Sequence, residues 1–104
     1  MFALALALTL RPGAYEKYKL AHDNLWPELA AGMAANQVSM AIYRDGDRLF
    51  IFAAAPTPEN WLRSRQDPVL ARWDARMAEF LETNEHGQLA FTVLPKAFGF
   101  GDFK

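Results

Sequence analysis

Tyr18, His22 and Trp26 stand at four-residue intervals, and Pro27 and Glu28 follow at once. Residues at i, i+4 and i+8 share one face of a helix, so this spacing sets an imidazole between two aromatic rings. Histidine exchanges protons near neutral pH, and aromatic faces pack on flat or ring-shaped ligands such as sugars. The only other histidine, His86, lies in the polar run NEHGQ and reads as exposed. With no cysteine and two histidines, disulfides, thiolate metal sites and a cysteine nucleophile are excluded, and a transition metal would find few ligands. No glycine-rich phosphate loop is present, because Gly99-Phe100-Gly101 lacks the strand-to-helix setting such loops require. Proton transfer through this face is the chemistry these residues offer.

The elements that hold this face follow from periodicity. At 104 residues, 52% hydrophobic and 22% charged, with net charge −1, the chain reads as one globular domain over 1–104 with no bias toward nucleic acid or anionic membrane. Phe2, Leu4, Leu6, Leu8 and Leu10 alternate with Ala3, Ala5, Ala7 and Thr9, which is the period of a strand. The leucine face calls for helices, and the alanine face leaves room for a partner sheet or a ligand. This opening run lacks a basic leader and passes directly into Arg11-Pro12-Gly13, so it is expected to be a strand of the mature protein and not a signal peptide. No apolar run approaches the roughly 18 residues of a membrane span. These features fit a cytoplasmic protein.

AYEKYKLAHDNLW carries a helical pattern that Pro27 must interrupt, because proline donates no backbone hydrogen bond and disfavours helix at Trp26. A second helix then restarts at Pro27, leaving His22 in the last turn of the first, where helix carbonyls favour imidazolium. VSMAIYRDGDRLFIFAAA predicts a hairpin turning at Asp45-Gly46. Pro58 opens a short helix, Asp67 caps another that starts at Pro68 and runs through PVLARWDARMAEFLETN, and QLAFTVLPKAF predicts a fourth strand. Trp61 reads as core. The order β-α-β-β-α-β predicts an α+β, ferredoxin-like fold: a four-stranded antiparallel sheet with helices on one face. Its bare face needs a second copy or a ligand plus the C-terminal tail to bury it; a homodimer is expected, giving a dimeric α/β barrel, with the tail 99–104 either frayed or reaching across a partner.

The run YKLAHDNLWPEL at 18–29, with AIYRD at 41–45, DPVLARW at 67–73, Met77 and Asn84, resembles the L-rhamnose mutarotase family over roughly residues 4–98. The resemblance implies a dimer of ferredoxin-like subunits that interconverts the α and β anomers of a 6-deoxy-aldohexose without metal or organic cofactor. It implies His22 as proton donor and Tyr18 as a substrate-binding residue, with Trp73, Asp74 and Met40 at positions that line the sugar pocket; Trp26 is a further candidate by its aromatic face alone, and reads more readily as a wedge before Pro27. Three positions depart from the family pattern: Met40 replaces a tyrosine, Trp73-Asp74 replaces paired tryptophans, and Asn84-Glu85-His86 replaces an asparagine-proline-aspartate run. Losing a phenol and an indole while gaining a carboxylate changes which hydroxyls are read. L-Rhamnose is therefore the default sugar, with L-fucose next.

Anomer exchange opens a cyclic hemiacetal and recloses it on the other carbonyl face, so one acid and one base suffice, each worth about 10²- to 10⁴-fold. His22 is the candidate acid; the base is Asp74, a neutral Tyr18 acting through water, or the imidazole in reverse. Two other readings compete. A cofactor-free monooxygenase or lactone isomerase on the same barrel would have a greasier pocket, better suited to Met40. A non-catalytic ligand-binding barrel would surround His22 with apolar side chains and no open cavity.

Overall fold

The computed structural model describes residues 1–104. The elements are β1 (Phe2–Thr9), α1 (Tyr15–Asp23), α2 (Pro27–Ala35), β2 (Ser39–Asp45), β3 (Arg48–Ala55), α3 (Pro58–Ser64), α4 (Pro68–Met77) and β4 (Thr92–Val93), with a 3₁₀ turn at Gly101–Phe103. All strand pairs are antiparallel, in the order β2-β3-β1-β4. This is the expected ferredoxin-like α+β arrangement, with each helical region split in two by a proline.

The splits have a common cause. Pro27, Pro58 and Pro68 each occupy a first-turn position, where a missing N–H costs nothing, and the residue before each is extended. Thr57 accepts a hydrogen bond from the Asn60 amide at 3.2 Å, and Asp67 accepts one from the Val69 amide at 2.9 Å. Each cap is worth about 1 kcal/mol.

Register sorts the two faces of the sheet. Leu6 pairs with Ile51 and Leu8 with Leu49, and these side chains, with Ile42 of β2, turn toward the helices. There they meet Tyr18, Leu29, Val69, Trp73 and Met77 in the core. Leu10 and Leu49 are 2% and 1% exposed, and burying each stabilises the fold by about 1.5–3 kcal/mol. The opposite face presents Ala3, Ala5 and Ala7 beside Ala41, Tyr43, Phe50 and Phe52, with Tyr43 68% exposed.

Three details differ from the sequence expectations. The hairpin loop is Gly46-Asp47, because Asp45 still pairs with Arg48. Gly46, at φ +59°, takes the first loop position, where a type II′ turn favours glycine. Helix α4 stops at Met77 because Phe80–Glu82 leave it to bond the end of β1: the Arg11 amide donates to Phe80 O at 2.8 Å and the Glu82 amide to Thr9 O at 2.9 Å. The same diversion shortens the fourth strand, since Leu89 bridges Thr83 and only Thr92–Val93 joins β1.

The tail folds back over the open sheet face of its own chain. Phe103 packs edge-on against Phe52 at 5.3 Å between ring centres, and Lys96 Nζ donates to Phe103 O at 2.6 Å. No helix is long and apolar enough to cross a membrane.

Candidate active site

Tyr15, Tyr18 and His22 fall at i, i+3 and i+7 on α1, so they line one side of a cavity of about 1480 Å³ between sheet and helices. Leu4, Leu6, Met40 and Ile42 form its sheet wall, and Trp61, Arg65, Trp73 and Asp74 face it from α3, α4 and the turn between them.

His22 sits in the last turn of α1, as the sequence predicts. Its Nδ1 lies 2.9 Å from the carbonyl oxygen of Tyr18. Because a carbonyl only accepts, Nδ1 carries the hydrogen in that bond, and Nε2 of the neutral ring keeps its lone pair. The imidazole packs on the Tyr18 ring at 4.2 Å and against the edge of Trp73 at 5.2 Å. This packing reverses the expected electrostatics. Burial lowers the His22 pKa below its ordinary value, and the opposing pull of the Tyr18 carbonyl and Asp23 does not restore it. His22 therefore rests as neutral imidazole at pH 7, and not as the imidazolium that its helix-end position suggests.

Tyr18 is 4% exposed, and burial raises its phenol pKa, which keeps the hydroxyl protonated. That hydroxyl makes no hydrogen bond within the chain, yet it is not sealed from the cavity. Tyr18 and His22 thus bring an unused donor and an unused acceptor to the same cavity.

Trp73 is buried and links the site to its support, meeting His22 on one side and the ring of Trp26 on the other, at 5.1 Å and 84°. Trp26 itself does not line the cavity; it borders a shallower cleft of about 790 Å³ with Arg11, Lys17 and Asn24. The i+8 relation to Tyr18 fails because α1 ends at Asp23 and the extended backbone before Pro27 carries Trp26 off that face. It packs on Trp73 there, apart from the cavity that the other candidate residues line. Met40 does line the cavity and is 38% exposed.

Asp74 is exposed as a residue, at the rim, but enough protein surrounds its carboxyl that burial raises the pKa against the opposing pull of Arg65. Arg65 escapes a motif search, as does Arg44. The Arg65 guanidinium lies 4.5 Å from the centre of the Trp61 ring, and that of Arg44 lies 3.7 Å from the centre of the Tyr15 ring. The one sequence signal for Arg65 is its place four residues after Trp61, a stacking interval on a helix. Trp61, read as core, is half-buried and lines the cavity. Lys19, also on the wall, is tied to Asp23 at 2.5 Å, and that bond raises its pKa, so it stays charged and cannot act as a base. His86 is exposed beside Glu85. No three His, Cys, Asp or Glu side chains come together as a metal site.

The L-rhamnose mutarotase family model matches residues 3–99. The chain is 33% identical over 98 residues to the L-rhamnose mutarotase of Leptothrix cholodnii, covering 91% of this chain and 92% of that one. It is 32% identical over 101 residues to the L-rhamnose mutarotase of Burkholderia orbicola, covering 94% and 97%. Among solved structures, the L-rhamnose mutarotase FA22100 of Formosa agariphila superposes with a TM-score of 0.80 at 26% identity, covering 97% of this chain and 100% of that one. A Nitrosomonas europaea protein described as of the antibiotic biosynthesis monooxygenase type superposes with a TM-score of 0.66 at 10% identity, covering 94% and 100%, and shares the fold alone. With a neutral imidazole lining an open cavity and a family match over nearly its whole length, the chain belongs to the L-rhamnose mutarotase family, isomerases that interconvert the anomers of a sugar.

Proposed function

We propose that this chain interconverts the α and β anomers of L-rhamnose, with His22 moving the proton and Tyr18 donating a hydrogen bond. The observation that carries this reading is the pairing in one cavity of a neutral imidazole, its Nε2 free, with a partnerless phenol hydroxyl. Nε2 takes the proton of the anomeric hydroxyl as the bond between C1 and the ring oxygen breaks. The imidazolium so formed returns that proton to the ring oxygen, which Tyr18 steadies by hydrogen bonding. The product is the open-chain aldehyde beside a neutral imidazole. Rotation about C1–C2 presents the other carbonyl face, and the same steps in reverse close the second anomer. Both oxygens are bonded to C1, so one imidazole serves both without a covalent intermediate. Its positioned transfer is worth about 10²- to 10⁴-fold, ample for a reaction already modestly fast in water. Trp73 and Met40 supply apolar surface for the sugar's C–H groups and methyl.

The functional unit in this proposal is a homodimer joined through the open sheet face. The support is physical: Ala3, Ala5, Ala41, Tyr43 and Phe52 form an apolar patch on which Tyr43 stays 68% exposed, with the tail's Phe103 packed at Phe52.

The test is saturation-transfer NMR of anomer exchange with L-rhamnose and L-fucose, comparing the wild type with His22→Ala. Exchange that depends on the protein and falls at least 10²-fold in the alanine variant is expected, with L-rhamnose the faster sugar. Exchange unaffected by the substitution would remove His22 from the reaction.

A further inference from the structure

Arg65 and Asp74 face the same cavity from the turn between α3 and α4 and from α4, yet they do not close on each other. The ion pairs of this chain join other partners, and these two stay beyond the 4.0 Å of a direct bridge. The Asp74 carboxylate accepts no hydrogen bond from the protein. Arg65 uses only Nε, toward Ser64 Oγ at 3.4 Å, and its guanidinium rests on the Trp61 ring. Both terminal nitrogens of Arg65 and both oxygens of Asp74 are therefore unemployed at the wall of a substrate cavity. A carboxylate and a guanidinium held apart in this way present an acceptor and a fork of donors to whatever lies between them.

The geometry points to Arg65 and Asp74 as a specificity-determining pair that reads neighbouring hydroxyls of the sugar, the guanidinium donating to one hydroxyl oxygen and the carboxylate accepting from the next. This rests on the mutarotase reading and adds to it the residues that select the sugar. Charge narrows the ligand. A lone guanidinium would favour a sugar acid or phosphate, but the facing carboxylate repels an anion, so the pair selects a neutral polyol edge. The Trp61 ring beneath Arg65 fixes the plane of the fork and limits the entropy lost on binding. A Trp73-Asp74 sequence in place of two tryptophans is then a substitution of polar reading for apolar contact.

The test measures anomer exchange by the same NMR experiment on L-rhamnose and on analogues each lacking one hydroxyl. Asp74→Asn, Arg65→Gln and Arg65→Lys are compared with the wild type, and thermal melts check folding. For L-rhamnose, Asp74→Asn and Arg65→Gln should lose about 10- to 100-fold, mainly as a rise in KM. Arg65→Lys should recover part of the loss. On the analogue lacking the hydroxyl that a variant no longer grips, that variant should lose nothing further relative to wild type. Asp74→Asn should also shift relative binding toward a sugar carboxylate, which a merely structural role would not do. If Arg65→Gln fails to fold, Asp74→Asn and Arg65→Lys carry the comparison. Wild-type exchange with unchanged KM and unchanged sugar ranking in the variants would overturn the pair and leave the mutarotase reading standing. Absence of wild-type acceleration with every sugar would overturn both.

Discussion

Replacing Tyr18 by phenylalanine separates catalysis from stability in a way the structure makes quantitative. The Tyr18 ring belongs to the core, at 4% exposure, but its hydroxyl has no partner in the chain. Tyr18→Phe keeps the ring and its packing on His22, and breaks no hydrogen bond of the folded state. The stability change should stay within about 1 kcal/mol, because nothing is left unpaired and little volume is lost. For a chain of this size that is a melting shift of less than about 4–8 °C. The catalytic effect should be much larger. A hydrogen bond to an oxygen that gains charge is worth about 1.5–3 kcal/mol, so its loss should lower kcat/KM by about 10- to 150-fold. Saturation-transfer NMR reads the exchange rate after subtraction of the spontaneous reaction, and calorimetry reads the melt. A variant that melts far below the wild type would show that the hydroxyl serves the fold. An unchanged melt with an unchanged rate would show that the hydroxyl never meets the sugar.

Two further outcomes follow from the same geometry. In the proposed reaction the active form of His22 is neutral, and burial lowers its pKa, so kcat/KM should rise with pH through an inflection below the ordinary histidine value of 6.5 and then stay level, since the Tyr18 phenol remains protonated through mildly alkaline pH. An inflection above 6.5, with activity in the protonated form, would make imidazolium the resting catalyst. Tyr43→Glu places a charge on the edge strand of the open face without touching the cavity. Sedimentation should show dimer for the wild type and monomer for the variant; a monomeric wild type would refute the proposed assembly.

Much of this is legible in the sequence because the signals are local. Period two in residues 2–10 separates the leucine and alanine faces of β1, and period 3.6 in residues 15–22 puts Tyr18 and His22 on one side of α1. Pro27, Pro58 and Pro68 mark helix starts by their missing N–H. What failed was reasoning carried across a break. Trp26 shares the face of Tyr18 only if the helix is continuous, and Pro27 ends that continuity. The state of His22 departs from its helix-end expectation for a related reason. The carbonyl that raises its pKa lies four residues away and is visible in the sequence, whereas the cover that lowers it includes Trp73, distant in the chain. The short β4 and the early end of α4 likewise reflect competition for the end of β1 by Phe80–Glu82, a contest between segments about 70 residues apart.

Arg65 shows most clearly what a motif hides. Nine positions separate it from Asp74, across a turn and a helix start, so no periodicity relates them; the angle between α3 and α4 brings both to one cavity. The result is a division of labour between elements. Helix α1 holds the groups proposed to move the proton, and a bond from His22 to the backbone of its own helix fixes the tautomer regardless of what α3 and α4 carry. The two later helices and β2 hold Trp61, Arg65, Trp73, Asp74 and Met40, side chains that meet the rest of the sugar in the proposed complex. Departures from the family pattern at Met40 and Asp74 fall on this second set and leave the first intact. Ring opening needs only the anomeric centre, whereas recognition needs the hydroxyls beyond it. Substitutions on the second set should therefore move sugar preference while leaving the pH dependence of exchange where His22 sets it.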